Sequence, residues 1–244
     1  MVAPDAPPVR VIETKPCVKV FLSKTGKTIL DFGQNLVGEP LLNWSLKFTF
    51  HGFRYVQVDG WPGSGPSEDD IQALVIHTDM RRRGFFECSN PYVNQLHKNV
   101  VWSMRGNFLS IPTDCPQRDE RLGWTGDLQV FCPTATFLYD TLGILGNWLE
   151  DVAAEQLEEG KGGIPPLDDV TVLAPDALYQ YSSDKGLLER QFVSMQTWLD
   201  EGVDRACDGL WNPDKWQLAD WLDPSAPPDD PGNGRTDSIL IANT

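Results

Sequence analysis

The stretch "FFECSNPYVNQLHKNVVWSM", residues 85–104, marks a change in the hydrophobic pattern of the chain. Before it, apolar residues alternate with polar ones or cluster in short β-branched runs. After Ser89 they recur at steps of three and four, at Val93, Leu96, Val100 and Met104. Ser89 or Asn90 can cap a helix, and Pro91 is favourable in its first turn. This change of period predicts strands before residue 89 and helices after it.

Seven segments before residue 89 carry strand signals, and turn residues such as "KTGK" and "HG" separate them. They are "VRVIE", "CVKVFLS", "TILDF", "LKFTF", "FRYVQV", "ALVIHTD" and "GFFECS". Such a series predicts an antiparallel sheet or sandwich in a domain over residues 1–88. Helical periodicity returns at residues 127–139, 141–158, 174–182 and 186–205. Residues 89–244 are therefore predicted to form part of a helical domain, which makes the chain an α+β, multidomain protein.

The amino-acid composition argues against several classes of binding partner. Lys and Arg number 20 against 35 Asp and Glu, which gives a formal charge of −15. Such a surface repels phosphate backbones, so we expect no nucleic acid partner. The apolar runs are too short to span a membrane, and we expect no membrane partner. Five cysteines without a CxxC pair and three scattered histidines suggest no metal, and we expect no cofactor. Neutral ligands remain, and the nine tryptophans can serve both packing and sugar stacking.

The segment "TDCPQRDERLGWTGD", residues 113–127 and called the acidic segment below, concentrates charge between two apolar stretches. Pro116, Gly123 and Gly126 disfavour a regular helix, because proline costs about 3 kcal/mol and glycine about 1 kcal/mol in a helix interior. Carboxylates beside an apolar core cost free energy unless they pair with a positive charge or serve a function. The segment is therefore either a structural ion-pair network or a functional site. Its charged residues and tryptophan are Asp114, Arg118, Asp119, Glu120, Arg121, Trp124 and Asp127.

Glycoside hydrolysis is a chemistry that these residues can serve. It typically needs one protonated carboxyl group, which donates to the leaving oxygen, and one ionised carboxylate. Glu120 is the candidate proton donor, with Asp119 adjacent and Trp124 four residues further on. The other acids can accept hydrogen bonds from sugar hydroxyls, and Trp124 can present its apolar face to a sugar ring. Two alternatives stay open: a purely structural arginine–acid network, and calcium binding without the usual DxDxDG spacing.

The run "DCPQRDERLGWTGD" at 114–127 resembles the hallmark of the bacterial and fungal α-L-rhamnosidases of glycoside hydrolase family 78. Further similar segments are "LDFGQNLVG" at 30–38, "FTFHGFRYV" at 48–56, "IHTDMRRRGFFECSNP" at 76–91, "VLAPDALYQYSSD" at 172–184 and "ADWLDP" at 219–224. The resemblance extends over residues 7–244. It implies a β-sandwich that leads into an (α/α)6 barrel, with the sugar held at the mouth of the barrel.

The resemblance also implies roles for individual residues. Glu120 corresponds to the general acid of the family. The family residues that contact the terminal rhamnose correspond to Asp114, Trp124 and Asp127. Trp221 resembles a further wall of the pocket. Arg118 also matches its position in the family motif, which implies a contact to the substrate. A role in a structural salt bridge is an equally good interpretation of this residue. The implied reaction is hydrolysis, with inversion, of terminal non-reducing α-L-rhamnose on rhamnosylated small molecules or rhamnose-containing polysaccharide.

Two departures from the family pattern limit this expectation. Only "EPLLNWSLK" stands between "LDFGQNLVG" and "FTFHGFRYV", where the family carries a long insertion of strands. No position matches the family's general base, a glutamate from a later barrel segment, and we expect the chain to cover about half of the barrel. Two hypotheses stay open: the chain is part of an active rhamnosidase, or it is a non-catalytic rhamnose-binding or unstable fragment.

Overall fold

A computed structural model of the chain describes residues 6–42, 48–158, 169–202, 205–210, 212 and 226–229. Strands come first and helices after, as predicted. The strands are β1 (Val9–Pro16), β2 (Lys19–Leu22), β3 (Thr28–Leu41), β4 (His51–Val58), β5 (Gln72–Thr78), β6 (Phe108–Leu109) and β7 (Ile111–Pro112). The helices are α1 (Pro91–Asn107), α2 (Thr125–Leu138), α3 (Leu142–Glu158), α4 (Val170–Ser182) and α5 (Lys185–Thr197), which continues into a π-helical turn, Trp198–Gly202.

The long strand β3 organises the sheet. The strand order is β1–β5–β3–β2, with β4 also paired to β3, and every pairing is antiparallel. The first residues of β3 pair with β2 and β4, residues 36–38 pair with β4 again, and its last residues, from Gly38 on, pair with β5. Gly38 allows this change of partner, because its φ is +154° and a Cβ there would collide with the carbonyl oxygen of Leu74 in β5.

The predicted α+β class is confirmed, whereas the described residues do not show a sandwich. Strands β1–β5 form one open, curled antiparallel sheet, and β6 and β7 form a separate two-stranded hairpin. The physical reason is the length of β3, whose 14 residues pair with three other strands in one layer. The short turns that suggested two facing sheets therefore join strands of the same sheet.

Local capping explains where two of the helices begin. The Asn90 side chain accepts a hydrogen bond from the Tyr92 backbone N–H at 2.9 Å, and Pro91 occupies the first turn of α1. Asp184 caps α5 in the same way, accepting from Gly186 N–H at 2.9 Å. Within the described ranges, no helix has both the length and the apolar character needed to cross a membrane.

The buried apolar residues form two cores. One lies under the sheet and contains Leu30, Phe32, Leu36, Ala73 and Val75 together with Cys17 and Ile71. The other lies among the helices, is larger, and includes Met104 of α1. Trp102, two residues earlier on α1, packs against the core under the sheet. Helix α1 therefore contributes side chains to both cores.

Polar contacts fix α1 across the sheet. Arg105 Nη2 lies 3.0 Å from Glu13 Oε2 of β1, and Arg105 Nε donates to His77 Nε2 of β5 at 3.2 Å. His77 is buried, and its Nδ1 lies 2.7 Å from the Thr78 carbonyl oxygen. Burial, aided by the nearby Arg105 charge, holds the pKa of His77 below its usual range. His77 therefore serves as a neutral ring that donates at Nδ1 and accepts at Nε2.

Candidate functional site

The acidic segment begins directly after the β6–β7 hairpin and ends in the first turn of α2. Its residues 113–124 have no regular secondary structure, as the glycines and the proline predict. The Thr113 backbone N–H donates to the Asn107 carbonyl at 2.8 Å, which ties the start of the segment to the end of α1. At the other end, Trp124 immediately precedes α2, and Asp127 lies in the first helical turn. The negative charge of Asp127 is favourable there because it faces the positive end of the helix dipole.

Two hydrogen bonds between Asp114 and Leu122 close the acidic segment into a loop. The Asp114 backbone N–H donates to the Leu122 carbonyl at 3.0 Å, and Leu122 N–H donates back to Asp114 Oδ1 at 3.1 Å. Partial burial raises the pKa of Asp114, but hydrogen bonds from Cys115 and from Leu122 N–H outweigh it, so this pKa lies below its ordinary value. Asp114 is therefore an ionised hydrogen-bond acceptor at neutral pH.

Arg118 links the two carboxylates. Its Nη2 lies 3.3 Å from Asp114 Oδ2 and 2.9 Å from Glu120 Oε2. The side chain of Arg118 is 60% exposed, whereas that of Asp114 is only 8% exposed. An exposed ion pair contributes about 0–1 kcal/mol to stability, so Arg118 orients the acids more than it stabilises the fold.

Glu120 has both carboxylate oxygens engaged. Oε2 faces Arg118, and Oε1 accepts a hydrogen bond from Trp124 Nε1 at 3.1 Å. Its side chain is 41% exposed, so it stays accessible to a ligand. The Trp124 side chain is also partly exposed. This hydrogen bond fixes the plane of the indole ring relative to the carboxyl group of Glu120.

An open pocket of about 550 Å³ lies beside these residues. Three of the predicted site residues, Asp114, Trp124 and Asp127, line it. Its apolar wall comes from α1, α2 and the hairpin: Met104, Phe108, Pro112, Leu128, Val130 and Phe131. Two carboxylates and an indole face beside an apolar wall suit a ligand with hydroxyl groups on one side and hydrocarbon on the other.

The structure brings five predicted site residues into one region. Hydrogen bonds join Asp114, Arg118, Glu120 and Trp124, and Asp127 lines the same pocket as Asp114 and Trp124. Trp221 lies outside the described residues. A cation would also have candidate ligands here, since oxygen and sulfur atoms of Asp114, Cys115 and Glu120 lie within 4.8 Å of one another. The guanidinium group of Arg118 already supplies positive charge to both carboxylates.

Sequence reasoning missed three polar residues that line the pocket, namely Ser103, Asn107 and Thr113. Ser103 and Asn107 are four residues apart on α1 and therefore share a helix face. That spacing was visible in the sequence as two polar positions beside the apolar position Met104. Nothing in the local sequence indicated that this face meets the acidic segment.

Two family profiles match the chain. The bacterial alpha-L-rhamnosidase 6 hairpin glycosidase domain matches residues 81–244, and the bacterial alpha-L-rhamnosidase concanavalin-like domain matches residues 40–77. Among curated proteins, an alpha-L-rhamnosidase of Streptomyces avermitilis is 35% identical, with 89% of this chain and 26% of that protein covered. One of Formosa agariphila is 37% identical, with 83% and 23% covered.

Solved structures agree with the profiles. The native alpha-L-rhamnosidase of Aspergillus terreus matches with a TM-score of 0.90 and 42% identity, covering 98% of this chain and 35% of that one. The Streptomyces avermitilis alpha-L-rhamnosidase complexed with L-rhamnose matches with a TM-score of 0.81 and 32% identity, covering 94% and 28%. The chain thus spans about a quarter to a third of the length of these proteins.

Proposed function

The chain belongs to the bacterial α-L-rhamnosidase family with a six-hairpin glycosidase domain, and from this premise we propose that it supplies the sugar pocket and the proton donor of an α-L-rhamnosidase. The observation that carries the proposal is the shared pocket of Asp114, Trp124 and Asp127. Glu120 is tied to that pocket through its hydrogen bond with Trp124.

In the proposed architecture, a β-sheet domain over residues 1–88 precedes part of an (α/α)6 barrel over residues 89–244. The separate cores under the sheet and among the helices support two domains. The profile match over residues 81–244 supports a helical catalytic domain in the second. Helices α1–α5 are then one portion of the barrel, and the pocket opens towards its interior.

Rhamnose is proposed to sit with its hydroxyl groups towards the two aspartates. Asp114 and Asp127 accept hydrogen bonds, and the face of Trp124 packs on the ring. The methyl group of this deoxy sugar would meet the apolar wall, where burial is favourable by about 0.8 kcal/mol per carbon. Arg118 links the carboxylates of Asp114 and Glu120, and Trp221 is proposed as a further wall.

Glu120 is the proposed general acid, and water attacks the opposite face of the sugar with inversion. Inverting hydrolysis places the acid and the base about 6.5–9.5 Å apart. Among the described residues near Glu120, the acids Asp114, Asp119 and Asp127 belong to the same short segment, and two of them line the sugar pocket. The base is therefore proposed to come from outside the acidic segment. The proposed substrates are rhamnosylated small molecules or rhamnose-containing polysaccharide.

Sugar binding to the 244-residue chain tests the proposal. We expect L-rhamnose to quench or shift tryptophan emission in a saturable titration, and its mirror image D-rhamnose to have a much weaker effect. The matched variant Trp124→Ala should lose the response. Equal responses to the two enantiomers, or none to either, would remove the basis for a rhamnose pocket. Selective binding would support a rhamnose pocket whether the chain is part of an active rhamnosidase or a non-catalytic, rhamnose-binding fragment.

A further inference from the structure

The acidic segment also touches the sheet, at the residues just before and within the start of β4. Arg121 Nη1 donates to the Phe50 carbonyl oxygen at 2.8 Å, and the Arg121 guanidinium lies 4.9 Å from the centre of the Phe50 ring. Arg121 has a φ of +36°, a left-handed backbone conformation that residues other than glycine seldom adopt. Such a conformation persists when surrounding contacts hold it, and the Phe50 contacts do so.

A second contact joins the same two regions. A Cβ at Gly52 would lie 3.1 Å from the Cβ of Gln117 and from two carbons of Pro116. The backbone of β4 therefore approaches the acidic segment so closely that a methyl group at this position would displace its neighbours by a few tenths of an ångström. Pro116 and Gln117 stand between Asp114 and Arg118, so this contact supports the segment at a different point from the Arg121 contact.

We propose that Arg121 and Gly52 are positioning residues, through which the sheet holds the acidic segment in the geometry that the sugar pocket requires. The inference deepens the proposed function and rests on it. Contacts within residues 113–124 hold this part of the segment only weakly, because it has no regular secondary structure and the Arg118 side chain that pairs with its acids is solvent-exposed. Asp127 is carried by a helix, whereas Asp114 and Glu120 depend on the irregular segment. The sheet contacts therefore set the spacing between Asp114 and Asp127.

The inference concerns positioning and not contact with the ligand. Arg121 directs its guanidinium to Phe50 of the sheet and does not line the pocket. Because binding groups must be held to a fraction of an ångström, a small shift of the segment lowers affinity without breaking a ligand contact. The sheet thus acts on the sugar through the backbone of the acidic segment.

The test uses the full chain and two variants, Arg121→Ala and Gly52→Ala. Hydrogen exchange of the Leu122 N–H, which donates to Asp114, reports the closure of the segment. We expect this exchange to accelerate at least tenfold, as a rough figure for loss of a local restraint, while the buried Leu145 N–H in α3 keeps its rate. The Kd for L-rhamnose should rise by about tenfold in both variants.

Each variant has a matched control. Arg54 also pairs with a sheet residue, Asp31, and stacks on a ring, but it makes these contacts away from the acidic segment. Arg54→Ala should leave both readouts unchanged. Gly146→Ala adds a methyl group that meets Leu187 Cδ1 at an ordinary 3.7 Å, and it should also be silent.

A conservative variant separates positioning from general stability. Arg121→Lys can still donate to the Phe50 carbonyl, so it should restore much of the rhamnose affinity that Arg121→Ala loses. Should Arg121→Ala fail to fold, Gly52→Ala and Arg121→Lys decide the matter. Unchanged Leu122 exchange and unchanged Kd in folded variants would overturn the inference and leave the proposed function standing. If the wild-type chain binds no L-rhamnose, the proposed function fails, and Leu122 exchange alone then decides whether the sheet anchors the segment.

Discussion

Trp124 and Asp127 are the residues at which binding and stability should separate most clearly. Loss of an aromatic contact costs about 1 kcal/mol, which is about fivefold in Kd. We therefore expect Trp124→Ala and Asp127→Asn each to weaken L-rhamnose binding by fivefold or more, with little change in melting temperature, because both side chains are exposed. Trp124→Phe, which keeps the ring face, is the control. A parallel loss of folding and binding would indicate a structural network.

Glu120 should show the signature of a proton donor. In an active rhamnosidase that contains this chain, Glu120→Gln should lower kcat by about 10²–10⁴ on an alkyl rhamnoside, whose leaving group needs protonation. The loss should be smaller on p-nitrophenyl α-L-rhamnoside, whose leaving group departs as an anion. Steady-state kinetics on the two substrates measures the difference. Equal losses on both would assign proton donation to another residue.

At the scale of elements, the contact of α1 with the sheet should make stability depend on pH. The folded pKa of His77 lies below its unfolded value of about 6.5. Its contribution is therefore complete above about pH 6.5 and is lost as the pH falls towards the folded pKa, with a slope of at most about 1.4 kcal/mol per pH unit. Asp79, Glu13 and Arg105 are the charges that act on it.

Denaturant unfolding from pH 7.5 to 5 measures this dependence. His77→Gln should flatten the curve, because an amide can donate to the Thr78 carbonyl and accept from Arg105 without taking up a proton. Glu13 has a lowered pKa despite its partial burial, since Lys15 and Arg105 stabilise its charge. Its contribution is lost only below about pH 4.5, so the two groups act in different ranges. An unaltered slope in His77→Gln would exclude His77 as the cause.

The order of the elements could be predicted from the sequence because its signals are local. The cap at Asn90 and Pro91 placed the start of α1, and alternation placed most strands. The pairing of the strands could not be predicted in this way. The sequence pattern predicts a strand only at "TILDF", yet Thr28–Leu41 forms one irregular strand whose pairing with β4 shifts register between Asp31 and Leu36. That continuity depends on distant partners, which local periodicity does not encode.

The candidate site was predictable for a similar reason. Asp114, Arg118, Glu120 and Trp124 lie within eleven positions of one another, so a short segment brings them together. Helix α1 adds Ser103 and Asn107 to the same pocket, and the contact between Arg121 and Phe50 joins residues 71 positions apart. Contacts of that kind follow from packing between the sheet and the helical part of the chain, which local sequence patterns do not encode.

At the scale of the whole molecule, we expect the 244-residue chain alone to hydrolyse p-nitrophenyl α-L-rhamnoside poorly. The described acids near Glu120 lie in one short segment and two of them line the pocket, so we propose that the base on the opposite face of the sugar comes from outside this segment. Release of p-nitrophenol by purified chain, compared with Glu120→Gln, is the assay. Strong turnover that this substitution abolishes would show that the 244-residue chain itself supplies a base.

Helix α1 places Trp102 against the core under the sheet and Met104 in the core among the helices, so the folding of α1 depends on both cores. A helix common to two cores couples their cooperativity, so neither is free to melt while the other persists. Scanning calorimetry should therefore give a single heat-absorption peak, with calorimetric and van't Hoff enthalpies in agreement. Trp102→Ala removes the side chain that extends into the sheet core and should split the peak in two. Two peaks in the wild-type chain would mean that α1 melts with one core only. The same coupling makes damage to a strand far from the pocket a threat to the helical core that forms the apolar wall of the pocket.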